Sequence, residues 1–100
     1  MDVLIKPAIK YDCAEWTQAT VTDYDVSAQA LFDNCNEPTK IIIRSDQTMT
    51  VRFNGTGAAS PAITVAANTA FELDIRMTAV YITTTTSTAV KIILLQSDVS

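Results

Sequence analysis

Histidine is the side chain most often used as a general base, and this sequence has none. Ser–His and Cys–His nucleophile arrangements are therefore excluded. Paired carboxylates are the acid–base chemistry that remains. Asp23 and Asp25 stand two apart, as do Glu72 and Asp74, and in a strand that spacing puts both members of a pair on one face. A glycosidase needs two carboxyl groups held apart across a cleft. A chain of 100 residues has little room for such a cleft. The expectation is a solvated turn for the first pair, a solvated strand face for the second, no catalytic residue, and a protein that is not an enzyme.

Binding chemistry is thinner than it first looks. Asp23, Asp25, Asp33, Asn34, Asn36 and Glu37 are hard oxygen donors of the kind calcium takes, but their spacing follows no EF-hand loop. Asp and Asn also populate turns for local hydrogen bonding, so no metal and no cofactor is expected. Tyr11, Trp16 and Tyr24 cluster early, close to Asp12, Asp23 and Asp25. Exposed aromatics beside carboxylates are the makings of a carbohydrate platform, and the same cluster is what a core plug beneath a sandwich shows. Cys13 and Cys35 are the only cysteines, and their separation fits no metal motif. Two free thiols are expected in a reducing compartment, with a disulfide as the alternative in an oxidising one. Asn54-Gly55-Thr56 matches a glycosylation acceptor, whose physical content here is a turn prone to deamidation.

Charge narrows the partners. The net charge is −4 and the isoelectric point about 4.4. An acidic chain poor in Lys and Arg repels phosphate, which argues against nucleic acid and against an anionic membrane surface. Met1-Asp2-Val3-Leu4-Ile5-Lys6-Pro7 does not read as a signal peptide. The longest apolar runs, Ile41-Ile42-Ile43 and Ile92-Ile93-Leu94-Leu95, are too short to span a bilayer. The expectation is a soluble protein made in a cytoplasm.

The elements that must carry these residues are strands. Met49, Val51 and Phe53 alternate with Thr50 and Arg52, and Phe71, Leu73, Ile75 and Met77 with Glu72, Asp74 and Arg76. A period of two marks strands with one face in a core. Strands are read over Gln18–Thr22, Thr39–Ser45, Thr48–Asn54, Ile63–Val65, Thr69–Met77, Val80–Thr83 and Ala89–Gln96. Ser45-Asp46-Gln47 and Thr84–Thr88 are read as hairpin links, and Asp23-Tyr24-Asp25 as a turn. Val26, Ala28, Ala30 and Phe32 alternate as a strand, with a short helix over Ser27–Phe32 competing because Leu31 breaks the pattern. Residues 1–10 form an arm or edge strand interrupted by Pro7. Seven to eight short strands with regular turn signals predict one all-β domain over residues 1–100. Its fold class is an antiparallel β-sandwich, jelly-roll-like or immunoglobulin-like.

Two strands are apolar on both faces. Ile41 and Ile43 point one way and Ile42 the other; Ile92 and Leu94 oppose Ile93 and Leu95. A sandwich buries one face of each strand. Ile42, Ile93 and Leu95 are therefore the expected self-association residues, with loops or the N-terminal arm as the alternative cover. The 15 threonines favour strands and solubilise their outer faces, and the run Thr83–Thr88 makes a polar tip that protects an edge only weakly.

Three stretches resemble small virion proteins of tailed bacteriophages. They are Ile41-Ile42-Ile43-Arg44-Ser45-Asp46-Gln47-Thr48-Met49-Thr50-Val51-Arg52-Phe53-Asn54-Gly55, then Pro61 to Leu73, then Ala79-Val80-Tyr81-Ile82-Thr83 with Thr88 to Leu95. The resemblance covers somewhat more than half the chain and implies a capsid decoration (cement) protein. Tail or baseplate accessory proteins, including receptor-binding ones, share it. It implies a non-enzymatic, often homotrimeric protein on the capsid exterior, with the major capsid protein as partner. Val3, Leu4 and Ile5 are the apolar segment expected to attach to the shell, or else the first strand of the sandwich. A small carbohydrate-binding module using Tyr11, Trp16 and Tyr24 is the reading from another class.

Overall fold

The computed structural model describes residues 8–97. They form eight strands: β1 Ala8–Gln18, β2 Val21–Asp25, β3 Lys40–Ser45, β4 Met49–Phe53, β5 Ile63–Val65, β6 Phe71–Asp74, β7 Val80–Thr84 and β8 Thr88–Ser97. One antiparallel sheet has the order β1-β8-β3-β6, and the other β2-β7-β4-β5. Chain neighbours cross between the sheets at every connection but β4–β5. This is the jelly-roll order, which selects between the two sandwich types expected from sequence.

The core follows the alternation. Ile41 and Ile43 on β3, Val51 on β4, Ile82 on β7, and Ile92 and Leu94 on β8 are fully buried between the sheets. Ile42 and Ile93 face outward because they occupy the opposite parity of the same strands. The buried polar residues Ser45, Thr84 and Thr88 each hand their hydroxyl proton to a carbonyl, of Gln47, Ala19 and Thr86 respectively. None is left unpaired in the dry interior, where an unmade bond costs most.

Several sequence expectations are corrected. The two expected hairpins are corners: Ser45-Asp46-Gln47 carries the chain from one sheet to the other, and so does the Thr85–Ser87 tip. The first corner is locked by Asp46, whose N–H donates to Ala89 O at 3.1 Å and whose Oδ1 accepts Ala89 N–H at 2.8 Å. Alternation reports which side chains face a core, and it is silent on which neighbouring strand supplies the hydrogen bonds. Asp23–Asp25 lies in β2, not in a turn; Asp23 has φ 51° at a register irregularity against β7. Ala19 and Thr20 are the corner between β1 and β2.

Val26–Phe32 is not a strand. Residues Val26–Gln29 form a 3-10 helix started by the Asp25 carboxylate, which accepts Ser27 N–H at 3.0 Å. The helix stops at Ala30, in the left-handed region with φ 63°. Leu31, the residue that spoils the alternation, is the one that drops into the core beside Val26. Residues 8–10 belong to β1, an edge strand of its sheet, so for them the edge-strand alternative holds and the arm does not. The proposed attachment residues Val3, Leu4 and Ile5 lie outside the described residues.

Candidate functional site

The outer face of the β1-β8-β3-β6 sheet carries the self-association candidates. Directly paired residues on neighbouring strands point to the same face. Cys13 pairs Ile93, Ile93 pairs Ile42, and Ile42 pairs Glu72, which makes one row across four strands. Tyr11, Leu95, Lys40 and Asp74 make the next. Ile42, Ile93 and Leu95 are thereby brought together, half-buried, on a face no other described element covers. Tyr11, 66% exposed, is the large hydrophobic side chain most open to solvent among the described residues.

Charges frame this patch. Glu15, Lys91 and Arg44 fill the row on one side. On the other, Lys40 Nζ reaches Glu72 Oε1 at 3.3 Å across the strand pair. An apolar centre with a charged rim is the layout of a protein interface. Sequence reasoning placed Ile42, Ile93 and Leu95 here but not Tyr11 and Cys13. Parity was the available signal: in a strand, Tyr11 and Cys13 share a face that Ala14 and Trp16 do not.

The three aromatics proposed for sugar do not form one platform. Trp16 and Tyr24 pack against the core with ring centroids 6.2 Å apart, tilted by 45°. Trp16 Nε1 donates to Gln18 Oε1 at 2.8 Å, and Gln29 Nε2 donates to Tyr24 Oη at 2.7 Å. Tyr11 points from the opposite face of the same sheet. The aromatic pair therefore behaves as a plug at the β1–β2 side of the sandwich.

The carboxylates hold backbone. Asp12 Oδ2 accepts the N–H groups of Asn34 and Cys35 at 2.9 and 2.7 Å, tying the β2–β3 connection to β1. Asp23 meets Arg52 Nε at 3.4 Å, and Arg52 Nη1 donates to Gly57 O and Ser60 O. Asp25 starts the 3-10 helix. Glu72 and Asp74 stand on an exposed strand face. No group of three or more His, Cys, Asp or Glu among the described residues could hold a metal ion.

Both cysteines are free thiols, Cys13 exposed and Cys35 buried. Burial pushes the Cys35 thiol up, the nearby Asp12 charge adds to this, and Lys10 opposes it. Such a thiol is a poor nucleophile. No family model matches this chain, and neither a curated protein nor a solved structure does.

Proposed function

We propose that this chain is a non-enzymatic structural protein that self-associates, as a homotrimer, and stabilises a larger shell by binding its outer surface, in the manner of a capsid decoration protein. The observation that carries this reading is the apolar row Cys13–Ile93–Ile42 with Leu95 and Tyr11 beside it, on a sheet face that the chain's own described residues leave open. The jelly-roll order is compatible with capsid proteins but also with lectins and cupins, so the weight rests on the patch.

The magnitudes suit a weak, repeated contact. Fully burying an Ile or Leu is worth about 1.5–3 kcal/mol, so each of these half-buried side chains has under about 1 kcal/mol left to gain. Ile42, Ile93 and Leu95 alone do not meet the association cost of at least about 4 kcal/mol, so self-association at micromolar concentration also draws on the exposed Tyr11 ring and the charged rim. Seating on a repetitive shell supplies the remainder through effective concentration. Val3, Leu4 and Ile5 supply the apolar segment for the shell, and the major capsid protein is the partner.

Light scattering coupled to size-exclusion chromatography, at low and high micromolar protein, tests self-association. A mass near three chains is expected at high concentration. Ile93→Asp should reduce it to one chain with an unchanged circular dichroism spectrum. A wild-type protein that is monomeric throughout removes the reading of the patch. Co-sedimentation with phage heads stripped of their own decoration protein tests the shell, and loss of binding on replacing Val3, Leu4 and Ile5 with Ser is expected.

A further inference from the structure

Asn54-Gly55 is the one place in the chain where glycine follows asparagine. That pair is unusually reactive toward deamidation, because no side chain on the second residue shields its amide nitrogen. The fold asks for both residue types. Asn54 follows β4 in the left-handed region, with φ 65°, which Asn tolerates better than most residues. At Gly55 a Cβ would come within 3.1 Å of Ser60 Oγ, so the position favours a residue without one.

The same fold withholds the reaction. Asn54 is exposed, so water reaches it, but its carboxamide is pinned at both ends. Oδ1 accepts the Thr78 N–H at 2.7 Å and the Thr78 hydroxyl at 3.2 Å, while Nδ2 donates to Arg76 O at 3.1 Å. The backbone is tied down as well, because Asn54 N–H donates to Ala79 O at 2.8 Å. Beyond Gly55, Arg52 Nη1 donates to Gly57 O and Ser60 O at 3.2 and 2.7 Å, which steadies the loop that carries the attacking nitrogen.

We propose that Asn54 is a modification site gated by the fold: ring closure with Gly55 awaits release of its carboxamide from the 76–79 segment, and conversion then weakens that hold for good. The Gly55 backbone nitrogen attacks Asn54 Cγ, and its proton is carried off by the side-chain nitrogen, which leaves as ammonia. The five-membered imide takes up water at either carbonyl. One product is aspartate; the other is isoaspartate, in which the chain runs through Cβ and Cγ. Before attack, Cγ must swing to the Gly55 nitrogen, and the bonds to Thr78 and Arg76 break. Each of the three holds the side chain by a factor of about 2 to 10, so the native chain should react roughly 10 to 1,000 times more slowly than an unhindered one. Neither product restores the full hold, since both lack the N–H that Arg76 O accepted.

Incubation at mildly alkaline pH, then trypsin and mass analysis of the 53–76 fragment, measures the rate; Asn68-Thr69 in the same fragment is the internal reference. A synthetic peptide of residues 51–58 in the same buffer supplies the unhindered rate. Native protein should convert at Asn54 roughly 10 to 1,000 times more slowly than the peptide, and equal rates would overturn the proposal. Thr78→Pro removes both donors to Oδ1 and should speed conversion about 5- to 100-fold in protein whose circular dichroism is native. Thr78→Val keeps the shape, removes the hydroxyl alone and should speed it about 2- to 10-fold; it decides the matter if Thr78→Pro does not fold. A folded variant that reacts no faster than the wild type overturns the gate. Ile92→Ala lowers stability in the core and leaves these bonds in place, so it should speed conversion less. An equal effect would mean that the chain reacts only through global unfolding, which also overturns the gate. The converted chain, separated by its added negative charge on anion exchange, should melt below its parent; an unchanged melting temperature would overturn the weakened hold.

Discussion

Ile92 and Ile93 are adjacent, identical in type and opposite in fate. Ile92 is fully buried between Ala14 on β1 and Ile43 on β3, while Ile93 looks out from the same strand. Truncating Ile92 to Ala removes three carbons, about 2.4 kcal/mol at ~0.8 kcal/mol per buried methylene. The cavity left behind adds to this, because Ala14 is too small to fill it, and brings the cost to roughly 3–4 kcal/mol. For a domain this size that lowers the melting temperature by roughly 12–25 °C. In urea, with a slope of about 1–3 kcal/mol per molar, the midpoint falls by roughly 1–4 M. Ile93→Ala removes the same carbons from a half-buried surface site where no closed cavity is left, and should cost the monomer roughly 1–2 kcal/mol. The two variants should be unfolded in urea at low micromolar protein, where subunit contacts contribute least. Raising the concentration should then stabilise the wild type more than Ile93→Ala. Equal losses for the two variants at low concentration would refute the assigned strand parity, and with it the patch.

Three further outcomes are expected. Asp12→Ala removes the acceptor for two backbone N–H groups; Asn34 N–H regains water but the half-buried Cys35 N–H does not, so stability should fall by about 2–3 kcal/mol in urea unfolding, and an unchanged midpoint would show that the clip is idle. Asn54 Oδ1 accepts Thr78 N–H at 2.7 Å while its Nδ2 donates to Arg76 O at 3.1 Å, so Asn54→Asp sets a carboxylate against that carbonyl and should cost about 1 kcal/mol by calorimetry, with none of it due to the left-handed backbone that Asp tolerates. At low micromolar protein, where the patch is uncovered, iodoacetamide should label Cys13 in the native protein and Cys35 only after unfolding. Because the Cys35 thiol is raised on folding, the unfolded chain ionises first as pH climbs past about 8.5, so stability is full below that range, falls above it, and should lose that slope in Cys35→Ala.

The strands that alternate cleanly are legible in the order of residues alone. Lys40–Ser45, Met49–Phe53 and Ile63–Val65 form where the period of two places them, and the doubly apolar Ile41-Ile42-Ile43 and Ile92-Ile93-Leu94 segments turn their second parity to the outer face of the sheet, which no other described element covers. Side-chain parity is a local property, and one residue of register fixes it for a whole strand. β1 was not legible as one strand, because Tyr11 and Cys13 are apolar on the outer face while Ala14 and Trp16 are apolar on the inner one, which erases the alternation. The Val26–Phe32 segment misled because its small residues alternate by chance, while the buried pair is Val26 and Leu31. Which strands pair is a property of the folded chain. A corner such as Ser45-Asp46-Gln47 has the composition of a hairpin turn, and it crosses between sheets because Asp46 finds Ala89, 43 positions away. The same long-range pairing set Tyr11 beside Leu95 and Cys13 beside Ile93, so that one outer face carries them together. Those juxtapositions depend on hydrogen bonds between distant segments, which no local pattern of residue types encodes.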